Sequence, residues 1–383
     1  MCSLYTSGVK QRFTYKLRPG KQAEALLLRH AGTCRWVWNK CVAAFNEGET
    51  TNQTSLMKQL TANRRQHDWL ASQPVVPQQQ AIRDFLTARS AFFAGKRNPP
   101  KFKSKRRTQP SLNYTVRGFS LTKDNRLRLA GGITIPVVWS RELPTDPTSV
   151  RVYRDSCNWW WASFVVDVEE TNKPRVTDGQ IGIDWGVKNP ATTTNPDHDL
   201  GYTPRVKDNA KNLAKYQRRM ARHRQNKQWK HYNNAKKKAA RLHRRVRNQR
   251  REQSRKWAQN LARHNKTIAV EDFKPRFVQA NKHLAKKASD NAIGLVKQEL
   301  LTAANDFDCD VYLIDPKYTT MDCSNCGTRL KTAMQLSQRK YSCPACGIQL
   351  DRDRNAARNM LIRAGFNPAG NNGHKTTDQP ACS

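Results

Sequence analysis

The sequence predicts a multidomain α+β protein, and three observations carry that prediction. Helix-period residues fill Gln22 to Phe93, short β-prone runs fill Tyr114 to Val168, and three apolar strand-like runs, two of them ending on a carboxylate, alternate with helical stretches beyond residue 178.

In the first stretch Ala25, Leu28 and Gly32 lead into the aromatic-rich Cys34-Arg-Trp-Val-Trp38, which predicts a helical unit with a buried aromatic face. Pro99 and Pro100 break it. The following Lys101, Lys103, Lys105 and Arg106 are too densely charged to enter a core and are expected to touch phosphate. Runs such as Ile133-Thr-Ile135 and Trp159 to Val166, separated by Gly, Pro and Asp turns, then predict a small β-barrel.

Lys173 and Pro174 mark a linker. Gln180-Ile-Gly-Ile-Asp184 and Lys266 to Glu271 read as buried strands ending on acids, Asp310 to Ile314 as a third apolar strand, and a last helix starts near Asp353 and stops near Gly365. Between the first two strands lies a segment, 205–256, with 21 Lys or Arg against only Asp208 and Glu252. Its apolar residues Leu213, Tyr216 and Met220, then Ala235, Ala239, Leu242 and Val246, recur at three and four, so it is expected to form a basic helical hairpin. A run of one sign at this density argues for a polyanion on Arg218, Arg219, Arg222, Arg241, Arg244 and Arg245 rather than for a solvated helix pair. The segment 367–383 lacks periodicity and reads as a disordered tail.

The whole chain of 383 residues carries 69 Lys or Arg against 30 Asp or Glu, a formal charge of +39. Phosphate neutralisation with counterion release turns that self-repulsion into binding free energy, so nucleic acid is the expected partner. No apolar stretch has membrane-spanning length and the N-terminus lacks a secretory pattern, so no membrane partner and a cytoplasmic, nucleoid-associated location are expected. Cys2, Cys34, Cys41, Cys157, Cys309 and Cys382 are scattered and read as reduced thiols.

Four other cysteines are regularly spaced: Cys323 and Cys326 form one CxxC pair and, after 16 residues, Cys343 and Cys346 another. That spacing suits one tetrahedral Zn²⁺, with Gly327 and Gly347 supplying knuckle freedom. Four protein ligands leave no open position, so this zinc is structural. Chemistry is sought instead at Asp184, Glu271 and Asp353. Taken singly each has a plain alternative: a turn aspartate, a solvated strand end, a helix N-cap. Together they offer hard oxygen ligands for two Mg²⁺ ions, the arrangement that activates water and stabilises a leaving oxygen in phosphodiester hydrolysis.

Several blocks in order resemble the TnpB family, relatives of type V CRISPR effectors. Tyr15-Lys-Leu-Arg-Pro19 with Gln22, Gly32 and Arg35-Trp-Val-Trp-Asn39 resembles its opening, and Pro100 to Lys105 its next block. Ile183-Asp-Trp-Gly186, Val270-Glu-Asp272, the cysteine pairs with Leu336-Ser-Gln-Arg339, and Asp353-Arg-Asn-Ala-Ala357 resemble its RuvC-like blocks. The same pattern selects Asp353 over Asp351 as ligand. Trp185, where a smaller aliphatic residue is usual, and Thr319-Thr320 depart from the pattern without removing a ligand.

The resemblance implies a wedge-like β-barrel over 1–20 and 112–172, a helical recognition unit over 21–111, and a RuvC-like, RNase H fold nuclease over 178–320 and 351–366. Within that nuclease it places a basic helical insertion at 205–262 and a zinc ribbon at 321–350. It further implies a guide RNA from the transposon end, cleavage of target double-stranded DNA beside a short adjacent motif, and a separate transposase in the same element. Gln78, Gln79 and Gln80 are expected near that motif, because amides pair adenine bidentately, with a polar helix start as the alternative. Three rival functions remain: a nuclease-silent RNA-guided regulator, a transposase that joins DNA ends itself, and an inactive zinc-ribbon RNA-binding protein. Retention of all three acids opposes the first, and no His-hydrophobe-His site with a tyrosine nucleophile supports the second.

Overall fold

Alternating residues make Val9–Leu17 a strand (β1) that turns Tyr15 and Leu17 inward. The computed structural model describes residues 9–169, 173–186, 189–203, 205–272, 292–335 and 338–368, and the chain divides into two units at Glu170–Thr171.

In the first unit, the expected helical unit comprises α1 (Lys21–Asn46), α2 (Gln53–Gln66), α3 (Asp68–Ala71) and α4 (Val75–Phe93). Leu27, Ala31, Cys34, Val37, Trp38, Cys41 and Val42 form one buried face of α1 at helical spacing. Asn52 caps α2 by accepting from the Ser55 amide at 2.7 Å, and Pro74, whose φ is fixed, precedes α4. Trp38 meets Phe85 of α4 edge-on at 5.9 Å.

The expected β-region comprises β2 (Ser111–Thr115), β3 (Phe119–Leu121), β4 (Arg126–Leu129), β5 (Ile133–Val138), β6 (Pro147–Arg154) and β7 (Trp160–Val168). Together with β1 they form one seven-stranded sheet in the order β2-β6-β7-β1-β5-β4-β3. β1 pairs antiparallel along all of β7, from Val9 opposite Val168 to Leu17 opposite Trp160. The sheet has ends at β2 and β3, so among the described residues the barrel is not hydrogen-bonded all the way round.

The second unit is built on β8 (Gly179–Trp185), β9 (Ala191–Thr193), β10 (Asn265–Glu271) and β11 (Asp310–Ile314), in the order β11-β10-β8-β9. β8, β10 and β11 run parallel and β9 antiparallel. Between β9 and β10 the basic segment forms a helical hairpin, α5 (Arg205–Gln225) and α6 (Trp229–His264), whose inner face buries Ala235, Ala239 and Val246. Helix α7 (Ile293–Asp306) follows, and β12 (Lys340–Ser342) and β13 (Gln349–Asp351) lead directly into α8 (Arg352–Arg363).

Alternation along β8 and β10 sorts the two faces of this sheet. Ile181, Ile183, Trp185, Ile268 and Val270 pack with the end of α6 and with α7, around Ala258, Leu261, Val296 and Leu300. The opposite face receives α8: Ala269 packs with Met360 and Leu361, and Gly182 meets the α8 backbone. A Cβ on Gly182 would lie inside contact distance of the Ala357 carbonyl oxygen, so this strand position requires glycine. The third apolar run behaves differently from its neighbours: β11 is an edge strand with Tyr312 and Leu313 exposed. The tail expected at 367–383 falls almost wholly outside the described residues.

Candidate active site

Register brings the first two acids together. Gly182 lies opposite Ala269 and Ile183 opposite Val270 in the parallel β8–β10 pair, so one further residue sets Asp184 beside Glu271, both on the face covered by α8. Asp353 lies in the first turn of α8 and is buried, as is Asp184. The N-cap alternative for Asp353 is overturned. Asp351 caps the helix, accepting from the amides of Asp353 at 2.9 Å and Arg354 at 3.2 Å, which leaves the Asp353 carboxylate for other partners.

Asp184 feels the charges of both other acids. Burial drives the Asp184 carboxyl well above its ordinary value, and the charges of Glu271 and Asp353 push the same way. Burial also raises Glu271 to about 7, opposed by a backbone hydrogen bond from Trp185 and by Lys297. Asp353 is held by two guanidinium groups, Arg352 at 3.1 Å and Arg339 at 3.2 Å. The Trp185 indole donates to the Glu271 carbonyl at 3.2 Å, so this unusual residue bridges the ends of the two acid-bearing strands.

Sequence reasoning missed these supporting residues. The alternating charges of Asp351-Arg-Asp-Arg354 were the available signal. Arg352 turns to Asp353, while Arg354 makes a two-pronged pair with Asp199 at 2.8 and 2.9 Å and also bonds the Thr193 carbonyl of β9. Strand β9 is thereby fastened to the helix that carries Asp353.

The four regularly spaced cysteines converge, with their sulfur atoms all within 4.8 Å of one another. Cys323 and Cys346 are 3.7 Å apart and Cys326 and Cys343 3.5 Å, close to the ~3.8 Å edge of a tetrahedron with zinc–sulfur bonds of about 2.3 Å. Gly327 and Gly347 both adopt positive φ, 75° and 72°, as the knuckle turns require. Hydrogen bonding with Thr328 lowers the Cys326 thiol to about 6, toward the thiolate form that binds metal, while burial raises Cys323 to about 11. Of the scattered cysteines, Cys34, Cys41, Cys157 and Cys309 are free thiols, and burial pushes Cys34 and Cys41 up to about 12. Cys2 and Cys382 lie outside the described residues.

The expected nucleic-acid contacts divide. Arg218, Arg219 and Arg222 on α5, Arg241 and Arg245 on α6, and Lys101, Lys105 and Arg106 are exposed. Two are corrected. The Lys103 ammonium sits 3.2 Å from the Trp38 ring centroid and burial lowers it to about 8, while its backbone exchanges hydrogen bonds with Asn39, so it anchors the segment instead of facing phosphate. Arg244 is half-buried and engaged.

Gln78 is corrected too. It is fully buried, donating to the Leu70 carbonyl and accepting from Arg64, so it secures the α3–α4 junction. Gln79 and Gln80 are half-buried on α4. Among the described residues no helix is long and apolar enough to cross a membrane.

Comparison with known proteins agrees with this architecture. A family model described as "Probable transposase" matches residues 163–277, "Cas12f1-like, TNB domain" matches 294–360, and "Helix-turn-helix domain" matches 7–48. That last segment here is β1 followed by the single helix α1. A solved chain titled as a Cas12f1-sgRNA-target DNA complex shares the fold at a TM-score of 0.57 and 11% identity, over 92% of this chain and 99% of that one. An Escherichia coli K12 protein named "Putative RNA-guided DNA endonuclease InsQ" is 28% identical over 92% of this chain and 91% of its own length. A Streptomyces pristinaespiralis protein named "Putative RNA-guided DNA endonuclease" is 31% identical over 92% of this chain and 89% of its own. Likeness at that level along nearly the whole of both chains, with the ordered motif blocks of the sequence, shows that this chain belongs to the TnpB family.

Proposed function

We propose that this protein is an RNA-guided DNA endonuclease of an insertion sequence, hydrolysing phosphodiester bonds at Asp184, Glu271 and Asp353 in a RuvC-like, RNase H fold centre. The reading is supported by Asp184 at the end of β8, Glu271 at the end of β10 and Asp353 in the first turn of α8, with Asp184 raised by burial and then by the charges of the other two. Such a cluster calls for cations, and an all-oxygen donor set fits Mg²⁺. Two bound Mg²⁺ ions supply activation of water and neutralisation of charge on the phosphate.

The chain's own residues do the rest. Burial raises Glu271 to about 7 and Asp184 well above its ordinary value, and both would serve a bound cation as carboxylates. The guanidinium groups of Arg352 and Arg339 orient the Asp353 carboxylate, and each would yield an oxygen to a bound cation. Arg339 is the more exposed of the two, so once released its charge can meet a phosphate at the site.

The exposed arginines of α5 and α6 suit the backbone of a guide RNA or its duplex with DNA. Guided recognition delegates sequence to base pairing and leaves affinity to such contacts. The sheet of β1–β7 serves as the wedge (1–20 and 112–172) and helices α1–α4 as the recognition unit (21–111), with Gln79 and Gln80 near the adjacent DNA motif. Residues 178–320 and 351–366 form the nuclease, with its basic insertion at 205–262, and 321–350 form a ribbon around structural Zn²⁺. A guide RNA from the transposon end, double-stranded target DNA, a separate transposase in the same element and a cytoplasmic, nucleoid-associated location complete the reading.

The test is direct. RNA that copurifies is sequenced and used to choose targets, and Asp184→Ala, Glu271→Ala and Asp353→Ala are each assayed. Each should abolish cleavage and leave guided binding intact. Near-normal cleavage by any one refutes its assignment, and guided binding without cleavage by the unaltered protein would make it a nuclease-silent regulator.

A further inference from the structure

Two buried asparagines one helical turn apart in α8 face the first cysteine knuckle. Asn355 donates to the Asp322 carbonyl at 2.8 Å and accepts from the Ser324 amide at 3.0 Å, so it grips the backbone on both sides of Cys323. Asn359 donates to the Thr319 carbonyl at 2.8 Å and to the Asp322 carbonyl at 2.7 Å. Arg363, one turn further, pairs with the Asp322 carboxylate at 2.9 Å and bonds the carbonyls of Asp315 and Lys317. Three successive turns of the helix that begins at the Asp353 carboxylate are thus fastened to the loop that begins the cysteine cluster.

The second knuckle reaches the same helix from its other end. Cys343 follows β12 and Cys346 precedes β13, and β13 runs without a break into α8. The Arg352 amide donates to the Arg339 carbonyl at 2.7 Å, and the Arg339 side chain holds Asp353. A metal ion on the four sulfurs would close this loop by joining the knuckle clamped by Asn355 and Asn359 to the knuckle that leads into Asp353. Without it, the two knuckles are joined by the Tyr341 hydroxyl, which donates to the Met321 carbonyl at 3.3 Å, and by the packing of Tyr341 with Cys323 and Cys343.

We propose that Asn355 and Asn359 are positioning residues through which the metal state of the cysteine cluster sets the place of Asp353, and so the divalent-cation affinity of the acid cluster. The inference rests on the proposed nuclease reading of Asp184, Glu271 and Asp353. It assigns the cysteine cluster a role beyond holding its own ribbon together, because loss of its metal would loosen a helix whose first turn lies in the acidic centre. Outer groups that orient metal ligands commonly set affinity over one to two orders of magnitude.

The test uses the full-length protein with its copurified RNA. Zinc is withdrawn by a zinc-selective chelator that is then dialysed away, Mn²⁺ binding is read from the electron spin resonance of the free ion, and amide exchange is followed over 352–363. Zinc loss should speed exchange across α8 and weaken Mn²⁺ binding by about tenfold or more.

The double variant Asn355→Ala with Asn359→Ala should keep one zinc per chain, bind RNA normally and show the same loss of Mn²⁺ affinity, with no further loss when its zinc is removed. Its cleavage should recover at high Mn²⁺, which a misfolded protein would not show. The proposal is overturned if zinc-free unaltered protein binds Mn²⁺ as before, or if the zinc-loaded variant does. Should the variant not fold, the unaltered protein decides alone. Asp184→Asn separates the two readings: if it binds Mn²⁺ normally, the acid assignment fails, and exchange across α8 on zinc removal then decides the coupling.

Discussion

Replacing Gly182 by alanine adds one methyl group at the tightest approach in the second unit. The new Cβ would overlap the Ala357 carbonyl oxygen and come within 3.1 Å of its carbon and 3.2 Å of the Leu361 Cβ. The obstacle is helix backbone, and β8 is itself fixed by ladders to β10 on one side and β9 on the other, so neither partner can turn aside as a side chain would. Helix α8 must withdraw by about 1 Å, a displacement that a close-packed interior resists. Overpacking of this kind costs about 1–3 kcal/mol. Because Asp353 rides on α8 and Asp184 lies two residues from Gly182, the same displacement opens the acidic centre, and a 1 Å misplacement can lower a rate by roughly a hundredfold.

The assay pairs urea unfolding with single-turnover cleavage of a guided target at fixed Mg²⁺. Gly182→Ala should be destabilised within that range and slowed on the order of a hundredfold. Adding Leu361→Ala should not rescue it, since the carbonyl oxygen remains. Gly32, inside α1, is the contrast: its Cβ would meet only the tip of Arg35 at 3.8 Å, so Gly32→Ala should be neutral or stabilising by about 0.5–1 kcal/mol. If Gly182→Ala unfolds and cleaves like the unaltered protein, the close approach of β8 and α8 does not position the site.

Elemental analysis should find one zinc per chain, and serine at Cys323, Cys326, Cys343 or Cys346 should release it and destabilise the second unit; a zinc-free protein of full stability would contradict the tetrahedral reading. Reversal of the exposed Arg218, Arg219, Arg241 and Arg245 to glutamate should weaken RNA binding for every guide alike and flatten its salt dependence, by about one slope unit for each phosphate no longer neutralised, while circular dichroism stays unchanged. Glu271 is raised from 4.5 to about 7, so without divalent cations the folded state binds the extra proton between those values, and stability should fall as pH rises through them, by on the order of 3 kcal/mol at most. Thermal melts from pH 4.5 to 7.5 with and without Mg²⁺ check the sign, since cations should offset the fall at the upper end.

The parts legible in the sequence are those fixed by local periodicity or covalent spacing. The inner face of the α5–α6 hairpin follows from residues three and four apart and the cysteine cluster from two CxxC pairs with a glycine after each, whereas Ala25 and Leu28, which led the reading of α1, are exposed and Leu27 and Ala31 take the buried face. What was not legible depends on partners far away in the chain. β1 is stitched to β7 about 150 residues later, and nothing within Val9–Leu17 names that partner. Lys103 reads as one more phosphate ligand in a basic run, yet Trp38 and Asn39 on α1 hold it in place. Gln78 reads like its neighbours Gln79 and Gln80, but its place in the first turns of α4 puts it beneath Leu70, where its amide satisfies buried groups.

The three acids lie between these cases, because their places at two strand ends and a helix start were legible while the packing around them depends on small residues. Glycine at 182 and alanine at 269, 356 and 357 leave room for α8 against the sheet, and that closeness puts Asp353 where its charge reaches Asp184. It also excludes water from the carboxyls, which raises Asp184 and Glu271 and weakens the cation-free fold at neutral pH. A purely structural protein would gain stability from any neutral side chain at these positions. The paired guanidiniums on Asp353 oppose only part of the repulsion, and a divalent cation on all three acids would remove the rest. On the proposed reading, the packing of α8 on β8 and the need for a cation are one feature of the fold: the tighter the helix lies, the more the three acids would depend on a bound ion.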